Sequence, residues 1–438
     1  MNMPKAGDKV RVICKDEEIE GILMPSENAD SVMIKLGSGY NIGIDRKKIK
    51  EIKVIEALKE AKDRSAEKKK QAQQNPKLPN ITILHTGGTI ASKVDYRTGG
   101  VSAKFSPEEM EEKFPEIFKL ANIKSKLVFQ MFSEDMEPEH WQILAREVKK
   151  EVEHGAEGVI ITHGTDTMQY TANALSFMLE NLSKPVILVG AQRSSDRGSS
   201  DAGRNIICAV NFIVKSDFAG VAVCMHKRSG DDSCYIHKGV KVRKIHSSRR
   251  DAFRSVNVLP LAEVTKEGRI IPLNKDYEKK GKNDVVLKDK IEKKVEIVKI
   301  HPGFNYEIIK MLEEKGYKGI ILEGTGLGHA QVNVLDEYTK NHERLLDTIK
   351  NTIDKGVVVV MTTQTIFGRV NMNVYSTGRD LQKAGVISGE DMMPETAFVK
   401  LSWLLGNYPN DSNKVKELMT KNLRGEITER TEYEEEFI

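Results

Sequence analysis

Three observations predict an α/β protein of two parallel-sheet lobes behind a small β-barrel. From residue 81 onward, short apolar β-type runs alternate with amphipathic helical stretches. That is the pattern of a mostly parallel sheet covered on both faces. Ahead of it, five short β-type runs crowd into residues 5–55 and are expected to close as an SH3-like barrel. Between residues 276 and 294 a very polar stretch breaks the alternation, and a smaller β/α unit starts at Val295.

The elements follow in order. Strands are expected at 10–14, 19–24, 32–36, 42–44 and 49–55, punctuated by Ser26-Glu27-Asn28-Ala29-Asp30 and Gly37-Ser38-Gly39. The barrel, 1–55, carries Tyr40 as its one aromatic residue, which argues against a proline-peptide groove or a base-stacking platform. Residues 56–77 are helix-prone but polar on every side, and Asn75-Pro76 and Leu78-Pro79 stop them, as in a solvated helical linker. A large α/β domain is expected over 78–275, a linker over 276–294, a smaller α/β domain over 295–424 and an acidic tail over 425–438. Strands are expected at 81–85, 126–132, 158–162, 186–189, 221–225, 295–300, 319–322 and 357–362. Helices are expected at 139–153, 170–182, 202–215, 305–315 and 341–355.

Composition narrows the class. In 438 residues, 68 lysines and arginines face 64 acidic residues, too even a balance for a dedicated nucleic-acid binder. Four scattered cysteines make no disulfide scaffold. Residues 1–10 hold no apolar leader, and the run Val357-Val358-Val359-Val360-Met361 is far too short to cross a bilayer. A reduced cytoplasmic location and no membrane association are expected.

Two runs carry the chemistry. His85-Thr86-Gly87-Gly88-Thr89-Ile90-Ala91-Ser92 and Thr162-His163-Gly164-Thr165-Asp166-Thr167 each follow an apolar strand. Turns at the carboxyl ends of strands are where open α/β sheets bind ligands. Threonine supplies a hydroxyl for attack on a carbonyl, and glycine brings backbone N–H donors close to an oxyanion. Asp166 can meet a substrate ammonium, and a lysine in Val242-Arg243-Lys244-Ile245-His246 can act as base if its surroundings lower its pKa. A plain strand-to-helix turn capped by threonine explains either run alone. Neither phosphate-loop pattern is present. Cys224-x-His226 and Cys234-x-x-His237 match no standard zinc spacing, and no metal site is expected.

With both runs in place, the chain resembles the bacterial-type L-asparaginase/glutaminase family over residues 78 to 408, and Val189-Gly190-Ala191-Gln192-Arg193, ahead of Asp201, resembles that family's third strand-end segment. The resemblance implies an asparaginase-like two-lobed fold. It makes Thr89 the nucleophile, Tyr96 its helper from the following loop, and Thr165, Asp166 and Lys244 a second catalytic set. Ser133 would hold the substrate α-carboxylate and Asp166 the α-ammonium, with Gly88 and Gly164 lining the substrate. Glu134 would also bind substrate, at the α-ammonium pocket, where secreted asparaginases usually carry glutamine, and His163 reads as structural. His329, in a glycine-rich second-lobe turn, would close a neighbouring protomer's pocket or serve only as a turn.

The added N-terminal domain and linker resemble the D-type glutaminase subunits of archaeal glutamyl-tRNA(Gln) amidotransferases. Glutamine would then be the substrate. The E-type subunit of the amidotransferase would be the partner that takes ammonia, uses ATP and Mg and carries most of the tRNA(Gln) contact. No cofactor is expected in this chain, and a homodimer within a heterotetramer is implied. A free-standing cytoplasmic L-asparaginase and a non-catalytic RNA- or protein-binding scaffold are the alternatives. The intact Thr89, Thr165, Asp166 and Lys244 set argues against the scaffold.

Overall fold

The computed structural model describes residues 4–15, 17–25, 30–36, 41–57, 75–87, 92–94, 101–103, 114–193 and 200–431. The expected linker helix lies outside these residues over 58–74, as do Tyr40, Gly88, Thr89 and Tyr96.

The N-terminal strands are Lys9–Cys14, Glu18–Met24, Ser31–Leu36, Asn41–Asp45 and Ile49–Glu56, within a residue or two of expectation. They form one antiparallel five-stranded sheet in which the last strand returns to pair with the first. Alternation puts Val10, Val12, Val32 and Ile34 on one side, where they bury together.

The large lobe is built on an eight-stranded sheet. Five strands are parallel, in the spatial order Asn122–Met131, Asn80–Gly87, Gly158–Thr162, Pro185–Val189 and Gly220–His226. Chain order and spatial order reverse between Asn80–Gly87 and Gly158–Thr162. This is the topological switch point, and it opens a crevice at the carboxyl ends of those two strands. Both threonine-glycine runs begin there.

The four parallel strands other than the edge strand Asn122–Met131 are buried along nearly their whole length. Ile81 and Ile83 join a core with Ile160, Ile187, Val189 and the helix Ala202–Lys215. Leu84, Val159, Ile161, Val186 and Leu188 point the other way, against the helices Pro138–Glu153 and Met168–Met178.

The sheet is less parallel than the alternation suggests. Ser233–Lys238, Ala262–Thr265 and Ile270–Pro272 extend it by three antiparallel strands beyond Gly220–His226. Polar residues interrupt Ser233–Lys238 and Ala262–Thr265, and Ile270–Pro272 spans only three residues, so none reads as an apolar run. The helix expected to run to 182 stops at Met178, because Leu179–Glu180 pairs with Val286–Leu287 and Asn181 takes a left-handed conformation at φ 56.

The second lobe is a four-stranded parallel sheet of Val295–Lys299, Gly319–Gly324, Val358–Thr363 and Ile387–Ser388. One side packs on Glu307–Glu314 and His342–Asp354. The other shares its core with the large lobe through the helix Pro394–Asn407. No helix was expected there. The lobes bury this helix on nearly every side, which removes the polar stripe that marks a surface helix.

The segment read as an acidic tail does not leave the body at residue 425. Glu426 is fully buried, and Thr428 donates to Asp391 of the second lobe.

Candidate active site at the switch point

Close backbone approach assembles the crevice. Gly87 has φ 106, and a Cβ there would lie 2.3 Å from the Met131 carbonyl oxygen. Only glycine lets the first run press against the end of Asn122–Met131. A Cβ on Gly164 would lie 2.7 Å from Ser133 Cβ and 2.8 Å from Ser133 Oγ. The second run therefore sits directly on Ser133, and Thr167 Oγ1 donates to the Ser133 carbonyl at 2.6 Å. Ser133 is buried and opens a short 3-10 helix, Ser133–Asp135, while Glu134 beside it is exposed.

The two runs are also tied to each other. Thr86 Oγ1 donates to the Thr162 carbonyl at 2.9 Å. His85 Nδ1 meets Thr162 Oγ1 at 2.9 Å, and its Nε2 meets Ser125 Oγ at 2.8 Å. His163 contacts the Gly164 carbonyl at 2.7 Å through Nδ1 and Thr171 Oγ1 at 2.8 Å through Nε2. Burial pushes His85 and His163 down to about 4, so both are neutral imidazoles that brace the runs.

This burial predicts a pH dependence of stability. Unfolded histidine titrates near 6.5. Between about 6.5 and 4 the unfolded chain binds protons that the folded chain refuses. Stability is therefore held above pH 6.5, falls as pH drops toward 4 and levels off below. Each of the two histidines contributes roughly 3 kcal/mol of that loss. Urea denaturation at pH 7 and pH 5 should show a smaller difference for His163→Gln than for the parent chain; an equal difference refutes the assignment.

Across the crevice stands Lys244. Its Nζ donates to Thr165 Oγ1 at 2.9 Å and to Asp166 Oδ1 at 2.8 Å. Thr165 is buried, the Lys244 side chain is 9% exposed and that of Asp166 is 66% exposed. The lysine is thus shielded with a hydroxyl and a carboxylate at hydrogen-bond distance, while Asp166 faces outward. Lys244 ends the strand Val242–Lys244, which pairs with Phe253–Ser255. The third strand-end segment closes the floor: Asp201, fully buried, accepts from the Gln192 and Arg193 backbone N–H groups at 3.0–3.1 Å.

The structure thus brings Ser133, Gly164, Thr165, Asp166 and Lys244 together around the switch point, with Glu134 at the rim. His329 lies elsewhere. It lines a second-lobe cavity of about 640 Å³ with His301, His342 and Tyr375. Cys224 and Cys234 gather around Asn205 with His226, whereas His237 contacts Ser255, so the four do not share a site. Arg204 donates to the Lys266 carbonyl.

Sequence reasoning missed the partners of the two cations beside Lys244. Lys241 meets Asp391 at 2.6 Å and Arg243 meets Glu395 at 3.0 Å. The signal was present in Lys241-Val242-Arg243-Lys244, where three cations in four residues need separate partners.

Residues 80–276 match the family model "Asparaginase, N-terminal", residues 294–419 the "Glutaminase/Asparaginase C-terminal domain", and residues 5–55 the "GatD N-terminal domain". The chain is 52% identical over 431 residues to the D-type subunit of the glutamyl-tRNA(Gln) amidotransferase of Pyrococcus furiosus, covering 97% of this chain and 95% of that one. It is 49% identical over 432 residues to the corresponding subunit of Methanococcus maripaludis, covering 97% and 98%. Among solved structures, the thermostable L-asparaginase from Thermococcus kodakarensis superposes with a TM-score of 0.70 at 30% identity, over 80% of this chain and 100% of that one. A probable cytoplasmic L-asparaginase from Campylobacter jejuni gives 0.65 at 30% identity, over 78% and 100%.

Proposed function

Because this chain belongs to the asparaginase/glutaminase family, in the branch of the D-type subunits of glutamyl-tRNA(Gln) amidotransferases, we propose that it hydrolyses glutamine and supplies the ammonia to a partner subunit. The observation that carries the reading is the contact of Lys244 Nζ with both Thr165 Oγ1 and Asp166 Oδ1 at the switch point.

In this mechanism Ser133 and the backbone at Gly164 hold the α-carboxylate of glutamine, and Asp166 takes its α-ammonium. That leaves the side-chain amide at Thr89, with Gly88 donating to the oxyanion. Thr89 Oγ bonds to the amide carbon while its proton passes toward the Thr165–Lys244 pair, helped by Tyr96. The C–N bond breaks as the nitrogen takes up a proton and leaves as ammonia. Water then attacks the threonine ester, releasing glutamate and restoring the hydroxyl. ATP and Mg chemistry on Glu-tRNA(Gln) belongs to the E-type partner and is asked of no residue here. The chain works in the cytoplasm as a homodimer within a heterotetramer, and tRNA contact runs mainly through the partner. Among the described residues no helix is long and apolar enough to cross a membrane.

A free-standing L-asparaginase is the competing reading. The solved asparaginase from T. kodakarensis matches 80% of this chain, whereas the amidotransferase relative from P. furiosus spans 97%. Ammonia release decides between them. The chain should release ammonia from glutamine, and faster with the E-type partner and Glu-tRNA(Gln) present. Rapid hydrolysis of asparagine by the lone chain, indifferent to partner and tRNA, would overturn the proposal.

A further inference from the structure

The strand that carries Lys244 belongs to neither large sheet. It forms a two-stranded ladder with Phe253–Ser255. Val240, Val242 and Phe253 bury its apolar side in the shared core. Apolar packing is non-directional, so the seat of the ladder along its own axis falls to polar contacts.

His237 of the large sheet meets Ser255 of the return strand at 2.8 Å, and the second lobe holds the end that leads into the Lys244 strand. Lys241, directly before the strand, is fully buried, with Nζ 2.6 Å from Asp391 Oδ2 and 3.3 Å from the Asp391 carbonyl oxygen. Asn257, just past the return strand, donates to the same carbonyl at 3.2 Å and to that of Gly368 at 2.9 Å. The Asp391 carboxylate is held in turn from the C-terminal segment. Thr428 donates to it twice, from the backbone N at 2.9 Å and from Oγ1 at 2.7 Å. Thr428 is pinned by Arg369, which donates to its carbonyl at 3.0 Å and to that of Glu429 at 3.1 Å. Three residues beyond Lys241, Lys244 Nζ stands 2.9 Å from Thr165 Oγ1.

We infer that Asp391, fixed by Thr428, is a positioning residue for Lys244: the chain Thr428–Asp391–Lys241 sets where the ladder sits and thereby the reach of Lys244 to Thr165. The inference rests on the proposed catalytic role of Lys244. It makes the C-terminal segment, remote from the crevice in sequence, part of what holds the site. A lysine that exchanges a proton with a hydroxyl must stay within hydrogen-bond reach, and misplacement by an ångström costs about 100-fold in rate.

Asp391→Asn is the direct variant, but it leaves Lys241 buried without its counter-charge. The milder pair keeps the ion pair: Thr428→Val exchanges only the hydroxyl for a methyl, and Thr428→Ser keeps the hydroxyl that donates to Asp391. Glutaminase kinetics of the full chain with the E-type partner and Glu-tRNA(Gln) should show kcat down about tenfold in Thr428→Val, with KM within about twofold and the kcat–pH profile displaced. Thr428→Ser should restore both kcat and profile. A Thr428→Val enzyme with the parental kcat and pH profile overturns the inference, and so does an equal loss in the valine and serine variants. Lys244→Met in the same assay separates the two readings. If it stays active, the catalytic assignment itself falls and the inference falls with it. If it is inactive while Thr428→Val is silent, only the positioning role is refuted.

Discussion

Replacing Lys244 with methionine is expected to lower glutamine-dependent ammonia release by about 1000-fold. Methionine keeps most of the length and apolar bulk of the stem and removes the nitrogen that touches Thr165 Oγ1 and Asp166 Oδ1. The neighbouring cations cannot take its place, because Lys241 and Arg243 are committed to Asp391 and Glu395 of the second lobe. Loss of proton transfer should fall on kcat, with KM changing little. Folding should survive, since the carboxylate left behind, Asp166, is 66% exposed and the buried pairs of the ladder remain. An unchanged far-UV spectrum and melting midpoint would confirm that the loss is chemical. Activity within tenfold of the parent would refute the assignment.

Lys400→Met is expected to destabilise the folded chain by about 3–5 kcal/mol. Lys400 projects from the inter-lobe helix Pro394–Asn407, and its side chain and that of Glu426 are both 0% exposed, 2.6 Å apart. The ammonium also donates to the Met419 and Lys421 carbonyls at 3.1 and 2.5 Å. Glu426 accepts from the Leu423 and Arg424 backbone N–H groups at 3.0 and 2.6 Å. Burial pushes the lysine pKa down, and Glu426 opposes that shift. Removing the lysine leaves a carboxylate with no counter-charge in the interior, which costs more than the pair itself is worth. Lys400→Met/Glu426→Gln should regain much of the loss, because glutamine still accepts from both N–H groups and carries no charge. Urea denaturation of the intact chain checks both variants. A single variant within about 1 kcal/mol of the parent would show that the pair is not closed in solution.

Much of the fold was legible in local pattern. The eight strands expected beyond residue 80 all form. Most of them are buried parallel strands, which read as apolar runs between turns. The elements that escaped have physical reasons. The antiparallel strands after Gly220–His226 are interrupted by polar residues or only three residues long, so they carry no apolar run. The helix Pro394–Asn407 is buried all round and shows no stripe. The end of the helix at Met178 depends on a partner strand more than 100 residues away, which no local signal reports.

The candidate site divides in the same way. Thr165 and Asp166 sit beside a strand end, where turn chemistry is written into adjacent residues, whereas Ser133 was reached through the family resemblance. Lys244 was read through its surrounding motif. Asp391, Glu395 and Thr428 were not read at all, because what gives them meaning is a carboxylate or hydroxyl meeting a cation from another lobe.

The sequence by itself determined the strands, the threonine-glycine turns and hence the class of chemistry, since these follow from side-chain period and from what glycine and threonine permit locally. Only the tertiary structure decided that the two turns flank the switch point of one sheet, that Lys244 faces Thr165, and that the C-terminal segment braces the ladder beneath it. Strand order and buried charge pairing join residues far apart in the chain, and a closed ion pair exists only once both lobes have excluded water from it.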